Sequence, residues 1–401
     1  MSADYLSLWA CGLVLLAAWW GRRLAAVGGA CGGSVGLRRR WLGCVAVLAA
    51  WPGYLAVAGD EAERSDLFTS GMGGYHTYRI PALLGTPRGT LLAFCEGRKT
   101  SRNDDGDIDL LLRRSTDGGR TWEAPQVVYE EGDDAPVTIG NPCAVVDGQT
   151  QTIWLAFCRN NTDVLFSKST DDGRTWSAPV DVTASVKRSE SGWYATGPGI
   201  GIQLKRGPHA GRLVIPCDHS EEREGRRVMY SHAIFSDDGG RTWRAGESVS
   251  PHTDECQLVE LGDGTLLINM RNYWGRDGGR PERGGRRAVA RSHDGGATWS
   301  DVSFDATLVE PICQASLISV ERPDGSRLLC FANPASSTTR HRLTLRVSFD
   351  EGATWPVERL IDAGAAAYSA LAWLGEGQVA ILYERDDYRY LTYLVVAIEQ
   401  P

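Results

Sequence analysis

The pattern Ser-x-Asp-x-Gly-x-Thr-Trp occurs five times in the sequence and constrains the fold more than any other feature. The five copies cover residues 115–122, 169–176, 236–243, 292–299 and 348–355. Their starts lie 54, 67, 56 and 56 positions apart, and an internal period of this length is typical of repeat folds such as propellers and solenoids. The sequence therefore predicts one structural unit that is repeated along most of the chain.

The chemistry of each copy is that of a turn between two β-strands. Its Asp is expected to accept hydrogen bonds from backbone N–H groups one or two residues on, and its Gly to supply a positive φ. Its Trp offers a large apolar surface to a neighbouring sheet, and apolar runs such as 110–112 flank the turns. Such four-stranded sheets bury both faces when they close radially. Five copies and one divergent unit thus predict an all-β, six-bladed β-propeller, with a strand near 390–398 pairing with the first strands after Leu67.

Composition and charge bound the size and the partners of this unit. The chain has 401 residues, 42% of them hydrophobic, and all-β domains often exceed 200 residues, so residues 59–401 are predicted to form one domain. A net charge of −8 argues against nucleic acid or an anionic membrane surface as the main partner. An anionic substrate would require arginines that converge locally within an acidic protein.

The cysteines give no sign of a disulfide framework or a metal site. Three of the ten lie before residue 59, and the other seven show no paired short spacings. Since several of them sit in apolar runs, they are predicted to be buried free thiols. There is no Cys-x-x-Cys, and the repeated turns lack the glutamate that closes a calcium loop, so we predict no metal and no cofactor.

The N-terminal 58 residues differ from the rest of the chain. Segments 5–20 and 41–58 are apolar, and the basic run Arg38-Arg39-Arg40 lies between them. In one interpretation residues 41–55 are the hydrophobic part of a signal peptide that is cleaved after Ala58. In the other, both segments enter the membrane as an anchor, with the arginines on the cytoplasmic side. Residues 1–58 are therefore predicted to be a signal peptide or membrane anchor, and either alternative places residues 59–401 outside the cytoplasm.

A second motif points to a known family. Tyr78-Arg79-Ile80-Pro81, which precedes the first repeat, resembles the [Phe/Tyr]-Arg-Ile-Pro motif of bacterial and animal exo-α-sialidases (neuraminidases), and the resemblance extends from about Leu67 to Ile398. It implies a sialidase-like propeller as the catalytic domain. It also implies that terminal sialic acids are removed from glycoproteins, glycolipids and oligosaccharides with retention of configuration, so that the expected partners are sialylated glycans.

The resemblance implies three arginines that bind the carboxylate of sialic acid. They are Arg79, Arg271 in Asn-Met-Arg-Asn, and Arg340 in Thr-Thr-Arg-His-Arg. Planar guanidinium groups are suited to this role because they can bind a carboxylate through two parallel hydrogen bonds. Arg342, two positions further on, is the alternative for the third arginine.

The resemblance also implies a tyrosine nucleophile, Tyr368, and a partner base, Glu255. Most glycosidases attack with a carboxylate, and sialidases are an exception. The electrostatic reason is that a carboxylate would be repelled by the substrate's own carboxylate, whereas a neutral tyrosine can attack while an adjacent carboxylate accepts its proton. Glu260 is the competing carboxylate near Glu255.

The general acid is expected in the acidic loop 103–109. By its distance from the following strand, the family's acid corresponds to Asp104, with Asp105 as the alternative. A calcium loop built from the alternating aspartates is disfavoured because Leu110 stands where glycine should follow. Since Asp104 must be partly protonated to protonate a leaving group, we predict an acidic pH optimum.

Further positions are carried over from the resemblance. Arg98 corresponds to an arginine near the carboxylate and the 4-hydroxyl, Asn141 to a residue on the N-acetyl side, and Glu384 to the carboxylate that orients the first arginine. Trp193, Tyr194 and Ile200 either line the pocket or only pack. Loop 275–287, with five arginines, is predicted to be a solvated insertion. The alternatives to hydrolysis are a non-catalytic sialoglycan-binding propeller and a trans-sialidase, intramolecular or intermolecular.

Overall fold

The computed structural model describes residues 63–133, 135–322 and 324–398. The predicted leader, residues 1–58, lies outside the described residues. Within these ranges the chain is almost entirely β-structure, which confirms the all-β prediction. The described helical segments are a four-residue helix, α1 (Thr183–Val186), and 3-10 turns at Gly207–His209 and Pro281–Arg283, and none has the length and hydropathy of a membrane span.

The first two sheets, sheets 1 and 2, follow the chain order of their strands. Sheet 1 contains β2 (Thr77–Gly85), β3 (Leu91–Arg98), β4 (Ile108–Ser115) and β5 (Gln126–Tyr129). Sheet 2 contains β6 (Ile139–Asp147), β7 (Thr152–Arg159), β8 (Asp163–Ser169) and β9 (Val180–Asp181), and β11 (Gly199–Ile200) joins β6 in parallel. All other pairs are antiparallel, as expected for strands joined by short turns.

Sheets 3 and 4 repeat this arrangement. Sheet 3 contains β10 (Ser191–Thr196), β13 (Leu213–Arg223), β14 (Arg226–Ser236) and β15 (Arg244–Ala245), with β12 (Ile202–Gln203) also paired to β13. Sheet 4 contains β16 (Thr253–Glu260), β17 (Leu266–Asn272), β18 (Arg286–Ser292) and β19 (Ser303–Val309). Each sheet is thus a meander of four main strands, as in propeller blades.

Sheet 5 has seven strands and joins the two ends of the described chain. Its strands are β20 (Ser316–Glu321), β21 (Arg327–Pro334), β22 (His341–Ser348), β23 (Val357–Gly375), β24 (Gln378–Arg385), β25 (Tyr390–Ala397) and β1 (Ser65–Thr69). The first part of β23 pairs with β22 and its second part with β24. Because β1 pairs with β25, the predicted pairing of the last strand with the start of the domain is confirmed, and the fold is a β-propeller.

The five repeated turns, which we call the box turns, share one hydrogen-bond pattern. In the turn after β4, the Ser115 hydroxyl donates to Asp117 at 2.8 Å, and Asp117 accepts from the backbone N–H of Thr121 at 2.9 Å and its hydroxyl at 2.6 Å. The other four turns repeat these contacts. The prediction that the Asp accepts from N–H groups one or two residues after it was wrong. The turn instead brings the Thr that lies four residues after the Asp into contact with it.

Apolar side chains pack between neighbouring sheets, and the box-turn tryptophans take part. Trp243, after β14 of sheet 3, stacks on Phe166 of sheet 2 with ring centroids 4.3 Å apart. Trp122 packs edge-on against Tyr393 of β25 at 5.1 Å. All seven cysteines of the described part are buried and free, as predicted.

Four of the register shifts in the sheets contain a residue singled out from the sequence, and we call these four segments the strand bulges. They lie at 79–82 on β2, 140–143 on β6, 253–256 on β16 and 366–369 on β23. A bulge places two residues opposite one and redirects their side chains, and bulges are common beside active sites. Each strand bulge contains one of the residues singled out from the sequence: Arg79, Asn141, Glu255 and Tyr368.

Candidate active site

The centre of the site is a hydrogen bond between Tyr368 and Glu255. The phenol of Tyr368, on β23, donates to Glu255 Oε1, on β16, at 2.5 Å. Both side chains are buried, and burial raises the pKa of Glu255 and raises that of Tyr368 well above its usual range. The tyrosine is therefore neutral, and the carboxyl group of Glu255 is the group in position to accept its proton.

Arg271 lies beside this pair. Its Nη1 donates to Glu255 Oε2 at 2.7 Å and to the Tyr368 hydroxyl at 3.2 Å. The same nitrogen is 3.8 Å from Asp254 Oδ2. The positive charge of Arg271 thus partly offsets the effect of burial on the pKa of Glu255 and lies next to the phenol oxygen of Tyr368.

Arg79 is held by a carboxylate from sheet 5. Its Nε donates to Glu384 Oε1 at 3.1 Å, and the backbone N–H of Ile80 donates to the same oxygen at 3.0 Å. Ile80 has a φ of +58°, which costs a β-branched residue about 1–3 kcal/mol. Glu384 also accepts the backbone N–H of Tyr368 at 3.1 Å. One buried glutamate therefore fixes two strand bulges relative to each other.

Of the two candidates for the third arginine, Arg340 is the one that lies beside Tyr368. The guanidinium carbon of Arg340 is 5.6 Å from the centre of the Tyr368 ring, and that of Arg79 is 5.2 Å from it. Arg340 donates to the Tyr388 hydroxyl at 3.0 Å. Arg342 has a φ of +63° and an exposed side chain. The structure thus brings Arg79, Arg271 and Arg340 together around Tyr368.

Asp104 contacts two arginines at the open side of the site. Its Oδ1 is 2.9 Å from Arg98 Nη1 and 3.2 Å from Arg79 Nη1, although its side chain is 63% exposed. Partial burial acts to raise the pKa of Asp104, but Arg98 and Arg79 outweigh it and the pKa ends below its usual range. The Asp104 carboxylate therefore occupies part of the arginine cluster. Among the described residues, Asp105 forms no hydrogen bond or ion pair with either arginine.

Asn141 occupies a strand bulge of sheet 2. Its backbone N–H donates to Glu96 Oε1 at 2.9 Å, and its side-chain amide donates to Asn161 Oδ1 at 2.8 Å. The other oxygen of Glu96 accepts from Arg98 at 2.6 Å. Glu96 thus joins the predicted positions Arg98 and Asn141, which lie on different sheets.

Several alternatives from the sequence have structural roles instead. Glu260 accepts the backbone N–H groups of Lys205 and Arg206 at 2.9 and 3.0 Å, so it fixes a loop. Tyr194 is buried and shares a 2.7 Å hydrogen bond with His232, so it packs and does not line an open pocket.

The prediction that loop 275–287 is solvated was wrong at its end. Arg287 belongs to β18, is completely buried, and forms a 2.6 Å ion pair with Glu310. Two further arginines of the loop, Arg283 and Arg276, lie over the rings of Trp274 and Tyr273 at 5.0 and 4.4 Å. Much of the loop's charge therefore packs against aromatic side chains.

Sequence reasoning missed a buried carboxyl pair next to Glu255. Asp218, on β13, is fully buried, and neither of its oxygens has a hydrogen-bond donor from another group in the described part of the chain. Burial and the neighbouring Asp254 raise its pKa well above the usual range, which favours the neutral form of its carboxyl group. Asp254 could have been found from the sequence because it directly precedes Glu255, whereas nothing in the sequence places Asp218 near either residue.

Comparisons with known proteins show what the chain is similar to. The BNR repeat-like domain family matches residues 89–381. The sialidase of Micromonospora viridifaciens is 40% identical over 345 residues, which are 80% of this chain and 51% of that protein. The sialidase of Bacteroides fragilis is 34% identical over 342 residues, which are 77% of this chain and 60% of that protein.

The chain belongs to the sialidase family.

A solved structure of the sialidase family supports the same fold. The Hadza microbial sialidase Hz136 superposes with a TM-score of 0.73 at 32% identity, over 82% of this chain and 67% of that one. The chain spans only about half to three fifths of the two curated relatives. For this member of the sialidase family, the structure gathers Arg79, Arg98, Asp104, Glu255, Arg271, Arg340, Tyr368 and Glu384 at one site, and the role of each stays a prediction.

Proposed function

We propose that the chain is a retaining exo-α-sialidase that hydrolyses terminal α-linked sialic acids on glycoproteins, glycolipids and oligosaccharides. The observation that carries the proposal is the 2.5 Å hydrogen bond between Tyr368 and Glu255 amid three guanidinium groups. A neutral nucleophile beside a base and a cationic cluster suits a substrate whose reacting carbon carries a carboxylate.

Substrate binding would use the arginine cluster. Arg79, Arg271 and Arg340 present their guanidinium groups around Tyr368, and such groups bind carboxylates strongly. Docking of sialic acid would thus replace the contact between Asp104 and Arg79 and leave Asp104 beside the glycosidic oxygen. Local cations explain how a protein of net charge −8 could bind an anion.

The first chemical step would form a sialosyl-tyrosine. The Tyr368 oxygen attacks the anomeric carbon, its proton passes to Glu255, and Asp104 protonates the departing glycosidic oxygen. In the second step, ionised Asp104 accepts a proton from water. That water attacks the same carbon, and the released tyrosine oxygen recovers its proton from Glu255. Two displacements retain the configuration.

The number of blades and the location of the domain are also part of the proposal. Since β23 serves as the last strand of one four-stranded group and the first strand of the next, sheet 5 is proposed to supply two blades and the ring to contain six. We further propose that the domain works outside the cytoplasm, behind a signal peptide or anchor in residues 1–58, on sialylated glycans.

Trapping of the intermediate tests this proposal. Incubation with 3-fluorosialosyl fluoride should release fluoride and add one fluorosialosyl group to Tyr368, because the fluorine at C3 slows hydrolysis of the intermediate. Peptide mass spectrometry locates the label, and a label on another residue would contradict the mechanism.

Turnover separates the alternatives. Release of 4-methylumbelliferone from its sialoside, with free sialic acid as product, supports hydrolysis. A sialosylated acceptor or an anhydro sugar would indicate transfer instead. Binding of sialyllactose without any turnover would identify a sialoglycan-binding propeller.

A further inference from the structure

Asn161 joins loop 103–109, which carries Asp104 and which we call the acid loop, to Asn141. Its Nδ2 donates to the backbone carbonyl of Asp104 at 2.9 Å, and its Oδ1 accepts from Asn141 Nδ2 at 2.8 Å. Its own backbone carbonyl accepts from the N–H of Tyr194 at 2.8 Å. The residue is 6% exposed. Both ends of its buried amide form hydrogen bonds, one to the backbone of Asp104 and the other to the side chain of Asn141.

The turn that carries Asn161 explains why an asparagine stands there. It connects β7 to β8, and Asn160 and Asn161 have φ values of +53° and +49°. The N–H of Thr162 bonds to the carbonyl of Arg159 at 3.1 Å, which makes a tight turn with two left-handed residues. Asparagine tolerates this conformation better than most residues, and the turn directs the Asn161 amide toward the acid loop.

The acid loop needs such anchors because the Asp104 side chain is largely exposed. Arg98 Nη1 donates to the carbonyl of Asn103 at 2.7 Å, and the Thr138 hydroxyl donates to the carbonyl of Gly106 at 2.9 Å. These contacts hold the loop on either side of Asp104. Asn161 holds the peptide group of Asp104 itself, so it fixes the backbone from which the carboxyl group extends.

We propose that Asn161 is a positioning residue that holds the general acid over the glycosidic oxygen and ties its position to Asn141. This inference rests on the proposed sialidase function. Proton donation in the transition state requires the donor within hydrogen-bond distance of the leaving oxygen, and a misplacement of about 1 Å can cost about 100-fold in rate. Loss of the Asn161 contact therefore weakens acid catalysis and leaves the nucleophile and the arginine cluster in place.

The leaving group provides a measurement that distinguishes positioning from folding. A sugar hydroxyl in sialyllactose must be protonated as it departs, whereas the phenolic oxygen of a 4-methylumbelliferyl sialoside departs with little help. Asn161→Asp keeps the size, the turn conformation and the acceptor for Asn141 but loses the donor to Asp104. Asn161→Gly keeps the turn and loses the whole amide.

We expect both variants to lose about 10- to 100-fold in kcat on sialyllactose and less than about threefold on the aryl sialoside. Thr162→Ala is the matched control, since Thr162 is exposed on the same turn and, among the described residues, its hydroxyl bonds only to the carbonyl of Asn160. This variant should change neither rate. Equal losses on the two substrates, or no loss on either, would overturn the inference.

A second measurement does not depend on turnover. Backbone amide hydrogen exchange of segment 103–107 should be faster in Asn161→Asp and Asn161→Gly than in the unchanged protein and in Thr162→Ala. Unchanged exchange there would contradict the proposed anchoring. An inactive parent protein with faster loop exchange in the variants would instead count against the sialidase function and not against the anchor.

Discussion

The box turns and the strand bulges are built in opposite ways. The Ser, Asp and Thr of a box turn bond to one another, and these hydrogen bonds join residues two to four positions apart. A strand bulge depends on distant segments, because Arg79 and Glu384 are 305 positions apart and Tyr368 and Glu255 are 113 apart. The same turn occurs five times, whereas each bulge carries a different side chain.

This difference shows how the fold separates stability from chemistry. Repeated local turns set the length and spacing of the sheets, while the bulges interrupt regular pairing and place charged groups in buried positions. Substitutions in the bulges should therefore act on catalysis, and substitutions in the turns on the free energy of unfolding. Four predictions test this separation, in order of decreasing expected effect.

Removing the nucleophile should give the largest effect. Tyr368→Phe deletes the oxygen that bonds to Glu255 and should lower kcat on the aryl sialoside by at least about 100-fold. Tyr383→Phe is the matched control, since that buried phenol bonds to Asp362 at 2.8 Å and lies outside the bulges. Similar activities in the two variants would contradict the view that catalysis depends on the strand bulges more than on the rest of the fold.

The pH dependence tests the acid. Because the pKa of Asp104 is lowered in the free protein, its protonated fraction falls with rising pH through the neutral range, and so should kcat/KM for sialyllactose. In the complex the substrate's carboxylate should compete for Arg79 and raise the pKa of Asp104, which moves the alkaline limb of kcat to higher pH.

Substitution shows which of the two aspartates is the general acid. Asp104→Asn should lose that limb and about 100-fold in kcat on sialyllactose, whereas Asp105→Asn should keep both. The measurement is a pair of pH–rate profiles on the two variants, and an alkaline limb that persists in Asp104→Asn would assign the acid elsewhere.

The third arginine should show an intermediate effect. Arg340→Ala removes charged hydrogen bonds to the substrate's carboxylate and should lower kcat/KM about 10- to 100-fold. Arg342→Ala, with its exposed side chain, should stay within about twofold. The reverse result in steady-state kinetics would show that Arg342, and not Arg340, binds the substrate's carboxylate.

A box turn should affect stability without affecting catalysis. A Cβ on Gly119 would overlap the Tyr393 ring, and its φ is +86°, so Gly119→Ala should cost about 3 kcal/mol. Gly118 has a φ of +73° with open space around it, so Gly118→Ala should cost about 1 kcal/mol. Thermal denaturation should show the larger fall in Tm for Gly119→Ala. Altered kcat in either folded variant would show that turns and bulges are coupled.

The site was predictable from the sequence where a motif fixed the position. Tyr-Arg-Ile-Pro located Arg79, and the surrounding residues located Glu255 and Tyr368. The choices between Asp104 and Asp105 and between Arg340 and Arg342 stayed open, since both members of each pair have the same chemistry and lie one or two positions apart. Asn161 and Asp218 carry no local signal at all, because their importance comes from neighbours on other strands.

The sequence by itself determined the repeated turns, the β-structure and the family, because these depend on interactions between residues that are close along the chain. Only the tertiary structure decided which carboxylates and arginines meet. The physical reason is that a bulge directs a side chain according to the register of its strand, and whether that side chain finds a partner depends on sheets formed by residues hundreds of positions away.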